Sequence, residues 1–380
     1  MTTERHSSSG EVRSFNPARL TIARERRGLT KQNLADQCGV SRRAVTAWEA
    51  GEVEVPPVEL LASVLGFPEP FFYADDPSVI SKDGVTFRAL KSMTARQLYR
   101  VLAASALAAE FSDWMDSHYK TPPAELPDLS DSDGLDPVVA AATVRSMWAP
   151  SQSPIKGLLP LLERKGVRVF ALPVQDREVD AFSFWRAERP FIFLNTGRTA
   201  ERLRFDLAHE LGHLLLHRGG PARRPRNIEQ QAQDFASSLL IPADALYAQV
   251  TGSPTFDDIF TLKRYWKVLA VAMVQRLWHL GIISEWHYRT WMIELSARGF
   301  RTSEPGGMRP ESSVLLRQLF SLAREDGWSS RGIANALHLP SDELESMIFG
   351  LVMAAAPAGA RPSRTDKENI LFDRLHRPTW

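Results

Sequence analysis

The chain has 380 residues, 44% of them hydrophobic and 24% charged, and a formal net charge of +1. That composition supports two to four folded domains with ample core and excludes a disordered polyelectrolyte. A single cysteine, Cys38, excludes an internal disulfide and fits a reducing cytosol, and no run of about 18 apolar residues announces a membrane span.

The first 14 residues are polar and lack the apolar core of a signal peptide, so they are expected to be disordered and the chain cytoplasmic. Residues 15–67 read as a compact helical module. A first helix over 17–27 is basic on one side, with Leu20 and Ile22 apolar. Thr30 is placed to cap a second helix over 31–38, Gly39 breaks it, and Ser41 caps a third over 42–49. Ala35, Gly39 and Val45 supply the small, turn and core residues that let two helices cross closely. Trp48 reads as core, and Glu49 as the partner of Arg19 or Arg24. The ending S-x-x-x-V-x-x-W-E-x-G resembles the Cro/C1 or XRE type of helix-turn-helix. The resemblance implies that 41–49 enters the major groove of double-stranded operator DNA. Ser41, Arg42, Arg43 and Thr46 would meet base edges or phosphates, and Gln32 a phosphate. Glu49, Glu52, Glu54 and Glu59 nearly balance the arginines, so the footprint is modest and favours a homodimer on a two-fold operator. The competing reading is a module that makes protein contacts alone.

Residues 68–150 read as a helical connector. It holds an irregular 71–90 stretch whose 87–90 segment is suited to docking, and a long Ala/Leu-rich helix over 95–119. A Pro-rich loop with Asp128, Asp131 and Asp133 follows, then a helix over 137–148.

Residues 151–250 carry the chemistry. Strand-like runs at 167–172, 179–185 and 190–195 precede a helix, the last two joined as a hairpin through 186–189. On that helix lies His209-Glu210-Leu211-Gly212-His213. Residues four apart share a helix face, so two imidazoles can point at one metal ion, with Glu210 placed as general base for an attacking water. The competing reading is a buried amphipathic helix with satisfied histidines. A third ligand separates the two. His217 continues the spacing, but it lies ~12 Å along the axis from His209, too far to share one ion on a straight helix. It is assigned a supporting role. Glu229 opens a second amphipathic helix that ends before Pro242. Ala232 and Ala236 share its face and allow close helix approach. The competing role for Glu229 is a helix-start acid facing the dipole.

HELGH followed by E-x-x-A-x-D-F-A-x-x-L-L-I-P resembles the ImmA/IrrE family of metallopeptidases, with Ile241 where the family usually has Met. The resemblance covers roughly 155–250. It implies Zn2+ held by His209, His213 and Glu229, with Glu210 as catalytic base. Asp234, like His217, is assigned a supporting place behind the ligands. Family members cleave regulatory proteins, often repressors of stress-response or mobile-element genes.

Residues 251–350 read as a helical protein-contact or sensor module, with helices over 259–281, 284–299, 311–326, 329–337 and 340–350, and the family resemblance implies a winged-helix-like segment there. The basic loop 219–226 is read as a solvated loop, or else as a gate for the cleft or a contact for an acidic partner. Residues 351–380 read as a disordered tail.

The expected fold is mainly α with a small β-sheet, an α+β layout with an N-terminal helix-turn-helix bundle, a central HExxH zincin-like domain and a C-terminal helical module. The expected function is a nucleoid-associated regulator whose zinc metallopeptidase domain cleaves a repressor-like protein. The alternatives are a non-proteolytic zinc-binding repressor or sensor, and an antitoxin-like interaction protein. A purely structural zinc needs no general base, so Glu210 favours the first.

Overall fold

The computed structural model describes residues 14–53, 56–78, 80, 93–130, 135–149, 151–172, 179–218, 227–300 and 304–352. The stretch before residue 14, the 87–90 segment, Asp131, Asp133, the 219–226 loop and the tail from 353 lie outside the described residues. In chain order the helices are α1 (Pro17–Arg26), α2 (Lys31–Cys38), α3 (Arg42–Glu49), α4 (Val58–Leu65), α5 (Ala95–His118), α6 (Pro137–Trp148) and α7 (Leu158–Arg164), with a 3-10 turn at Glu69–Tyr73. Strands β1 (Arg168–Ala171), β2 (Ala181–Arg186) and β3 (Arg189–Leu194) follow, then α8 (Ala200–Leu216) and α9 (Ile228–Leu240). The remaining elements among the described residues are the helices α10 (Ala243–Gln249), α11 (Asp258–Trp266), α12 (Ala270–His279), α13 (Glu285–Ala297), α14 (Val314–Glu325), α15 (Ser330–Ala336) and α16 (Ser341–Ile348). The described residues are thus mainly α with one small sheet. Among the described residues, no helix is long and apolar enough to cross a membrane.

The chain divides into two compact units. One gathers residues 1–79, 94–111 and 328–344, and the other 80–93, 112–327 and 345–380.

In the first unit, Thr30 caps α2 in a reciprocal box with Asn33, Gly39 ends it at φ 68°, and Ser41 caps α3 by accepting from the Ala44 amide. A left-handed residue closes the turn there, which glycine adopts without steric penalty. Leu20, Ala23, Leu34, Ala35, Val45, Trp48 and Leu61 form the core, while Ile22 is only half-buried. Glu49 pairs with Arg24 at 2.5 Å and Lys31 at 3.0 Å, whereas Arg19 turns to Glu110 at 2.8 Å. Arg26 and Arg27 both reach Glu343. The basic side of α1 is therefore largely engaged inside the protein and adds little to an outward field.

In the second unit the sheet runs β1-β3-β2, with β1 parallel and β2 antiparallel to β3. Ala187 at φ 48° and Glu188 make the tight turn of the hairpin. Side chains alternate across a strand. Phe182 and Phe184 stack on their cross-strand partners Phe193 and Phe191, with ring centroids 4.8 and 5.1 Å apart. The intervening residues Ser183 and Trp185 face the other way and bond α8. This sheet face fixes the helix that carries the site.

The single helix expected over 259–281 is two, α11 and α12, broken where Lys267 turns left-handed at φ 57°. Glu304, far along the chain, supplies the cap by accepting from the Ala270 amide at 3.0 and 3.1 Å. The short helix α10 was not anticipated by the sequence pattern.

Candidate metal centre

Helix α8 begins at Thr199, whose side chain accepts from the Arg202 amide, and it ends at His217. Its interior is buried on almost every side, including His209, Glu210 and His213. Such a helix is packed between layers, here the sheet and α9. Gly212 explains the closeness of α9. A Cβ at that position would sit 3.2 Å from the Ala232 Cα and 3.1 Å from the Phe235 ring. The small-residue face expected on α9 thus meets a glycine on α8, and Ala232 and Ala236 are both fully buried.

This packing brings Glu229 over the two histidines. Its carboxylate lies 3.5 Å from His209 Nε2 and 3.6 Å from His213 Nε2, and the two Nε2 atoms are 3.1 Å apart. One ligand atom from each of the three residues falls within 4.8 Å of the others. Both Glu229 oxygens are closed off from water and neither has a hydrogen-bond partner. Buried carboxylate oxygens without donors are costly. Two imidazole nitrogens turned on each other and an orphaned carboxylate form the donor set that a divalent metal ion satisfies. The residues present fit zinc.

The supporting residues divide. His217 Nδ1 lies 3.1 Å from His213 Nδ1, and its Nε2 lies 2.9 Å from Gln231 Oε1. Gln231, His217 and His213 thus form a chain of contacts that ends on one imidazole of the candidate cluster. Asp234 instead accepts from Gln230 at 2.9 Å on its own helix, and no bond links it to the three-residue cluster.

Glu210 is buried against the sheet, and Ser183 donates to its Oε2 at 2.7 Å. Burial pushes its carboxyl up to about 7, with Asp206 and Glu229 adding to the rise and His209 and Ser183 opposing it. A carboxylate poised near neutrality is suited to accept and return a proton. Ser183 was missed in the sequence reading. The available signal was a lone hydroxyl inside the apolar run Ala-Phe-Ser-Phe-Trp.

In the helix-turn-helix, Gln32, Ser41, Arg42, Arg43 and Thr46 are all exposed. Gln32 donates to Asp36 at 2.7 Å, Thr46 donates to the Arg42 carbonyl at 3.0 Å, and Ser41 acts as the helix cap. Arg42 and Arg43 are exposed in the first turn of α3, whose buried residues are Val45 and Trp48.

A helix-borne His-Glu-x-x-His with a glutamate presented by the next helix defines a metallopeptidase-like domain. Residues 162–278 match the peptidase M78 family model, described as the IrrE N-terminal-like domain. Residues 18–70 match a helix-turn-helix domain. The chain therefore joins a DNA-binding type of module to a peptidase-like one, and the peptidase match runs past residue 250 into α12. A search of curated proteins finds no match.

Proposed function

We propose that the protein is a DNA-associated zinc metallopeptidase that cleaves a repressor-like regulatory protein. The observation that carries this reading is Glu210. It lies next to His209 on the helix that presents both histidines, at the position a general base for an attacking water takes in this motif. His209, His213 and Glu229 would hold the ion, leaving a coordination position free. Bound there, zinc supplies Lewis acidity for attack on a peptide carbonyl.

The chain's own residues divide the remaining work. Glu210 takes the proton of the attacking water and returns it to the leaving amine. Ser183 holds the carboxylate in place through its hydrogen bond. His217 and Gln231 fix the His213 ring. In the other unit, Arg42, Arg43, Ser41 and Thr46 offer the groove-facing surface of α3, and Gln32 a contact at the start of α2. DNA binding would bring the peptidase to an operator or to the repressor bound on it, and the modest charge footprint suits a homodimer on a two-fold site.

One observation favours a second reading, a zinc-binding regulator without proteolysis. The Glu210 carboxylate is buried and already engaged by Ser183. The test is to incubate wild type and Glu210→Gln with lysate of the native host. A discrete fragment made by wild type alone supports the peptidase. No fragment from either protein, with and without operator DNA, supports the regulator.

A further inference from the structure

Within the first unit, a cavity of about 620 Å3 opens beside the turn that joins α1 to α2. Its lining includes Gly28 and Thr30 at the turn, Gln32 on α2, Arg42 on α3 and Arg96 on the first turn of α5. Helix α5 lies beyond the helix-turn-helix in the chain, yet it closes one side of a cavity that the helix-turn-helix opens.

The local sequence fixes this approach. Gly28 stands at φ 64°, a left-handed conformation that glycine adopts without penalty. A Cβ there would lie 3.1 Å from Arg96 Nε and 3.6 Å from Arg100 Nη1, so the missing side chain lets the α5 arginines lie against the turn. The start of α5 is held by a capping box. Thr94 Oγ1 accepts from the Gln97 amide at 3.3 Å, and Gln97 Oε1 accepts from the Thr94 amide at 2.8 Å.

The cations around the cavity fall into two groups. Arg24 is held by Glu49 at 2.5 Å and by Glu25 at 3.4 Å, and Lys31 by Glu49 at 3.0 Å. Arg42 and Arg96 are exposed, and among the described residues neither has an ion-pair partner. Glu25 is the one carboxylate on the lining, and Arg24 already meets it. Two solvent-facing guanidinium groups therefore leave the cavity positive. Each offers a planar fork of donors that matches phosphate oxygens.

Continuity names the anion. Gln32 and Arg42 line the cavity and also belong to the face proposed to meet DNA. A duplex seated on α3 runs on past α2 as a sugar-phosphate strand, with one negative charge per about 3.4 Å of axis. Arg96 extends the row of cations from α3 across the turn in the same direction.

We propose that this cavity holds the DNA backbone flanking the bases that α3 meets, with Arg96 as a phosphate contact outside the helix-turn-helix. The inference rests on the DNA-binding reading above. It adds a contact that positions the duplex and carries no sequence information.

The test is a titration of the full chain with two labelled DNA duplexes of unrelated sequence across salt concentrations, in wild type, Arg96→Ala, Arg96→Lys and Arg43→Ala. Arg43 does not line the cavity, so its variant tests the DNA-binding reading by itself. Arg96→Ala is expected to weaken binding to both duplexes by the same factor and to reduce the slope of log K against log salt by ~1 per chain. Arg96→Lys keeps the charge and is expected to keep the wild-type slope. A wild-type slope in Arg96→Ala, with binding weakened in Arg43→Ala, overturns this inference and leaves the DNA-binding reading standing. A loss in Arg96→Ala confined to one sequence makes the residue a base contact and overturns it as well. A wild type that binds neither duplex at low salt overturns both readings.

Discussion

Ser183 on β2 donates to Glu210 on α8 at 2.7 Å, tying the proposed base to the sheet. The bond exists because residues 182 and 184 face the aromatic stack, which turns residue 183 toward the helix. Ser183→Ala is expected to leave zinc content unchanged and to lower the cleavage rate ~10-fold, the usual scale for partners that orient a site group. Zinc analysis and a cleavage time course on the same sample check it. An unchanged rate would mean that Ser183 only fills space.

Gly212 sets the distance between α8 and α9. A side chain there meets the Ala232 backbone and the Phe235 ring. Gly212→Val is expected to push α9 away, with ~1–3 kcal/mol lost to overpacking. Because Glu229 rides on α9, zinc affinity should fall with stability. Denaturant unfolding and chelator competition measure the two effects. A variant that loses stability but holds zinc as tightly as wild type would separate the helix packing from the metal site.

The candidate ligands His209 and His213 and the candidate base Glu210 were legible in sequence because they sit on one helix, where spacing alone fixes their relation. Glu229 was legible because the Ala232 and Ala236 stripe implied close approach. Ser183 was not, since its role depends on which strand face meets α8. The break between α11 and α12 was hidden for a similar reason. Lys267 is neither glycine nor proline, and the cap on α12 comes from Glu304 across the fold. Glu163 does the same for α14, accepting from the Val314 and Leu315 amides at 2.9 and 3.0 Å and from Ser313 Oγ. Caps delivered from distant residues leave no local sequence mark. The helix-turn-helix was readable throughout because its caps, Thr30 and Ser41, are local.

Glu163 gives a pH prediction. Burial pushes its carboxyl up to about 7, against the opposing effect of its three donors and of Arg168. Between pH 4.5 and about 7 the folded chain keeps a proton that the unfolded chain has lost. The contribution of this group is therefore full below pH 4.5 and is lost as pH rises toward 7, by ~3 kcal/mol in total. Glu163→Gln cannot titrate. The difference in thermal midpoint between wild type and Glu163→Gln should shift against wild type as pH rises from 5 to 7. A difference that stays constant across that range would refute the assignment.

In the helix-turn-helix, Arg42 and Arg43 are exposed, while Arg27 is tied to Glu343 at 2.5 Å. Replacing Arg42 or Arg43 with alanine should weaken operator binding. Where the lost contact is to phosphate, it should also reduce the slope of log K against log salt by ~1. Arg27→Ala should leave that slope unchanged. Titrations of labelled operator across salt concentrations decide it, and equal slopes in all three variants would remove α3 from the interface.

The most direct test of the central claim is the number of zinc ions per chain, by elemental analysis, in wild type, Glu210→Gln and Glu229→Ala. Three ligands with a separate base predict about one zinc in wild type and in Glu210→Gln, and a near-complete loss in Glu229→Ala. A wild type without zinc, or a Glu229→Ala that keeps it, would contradict the account.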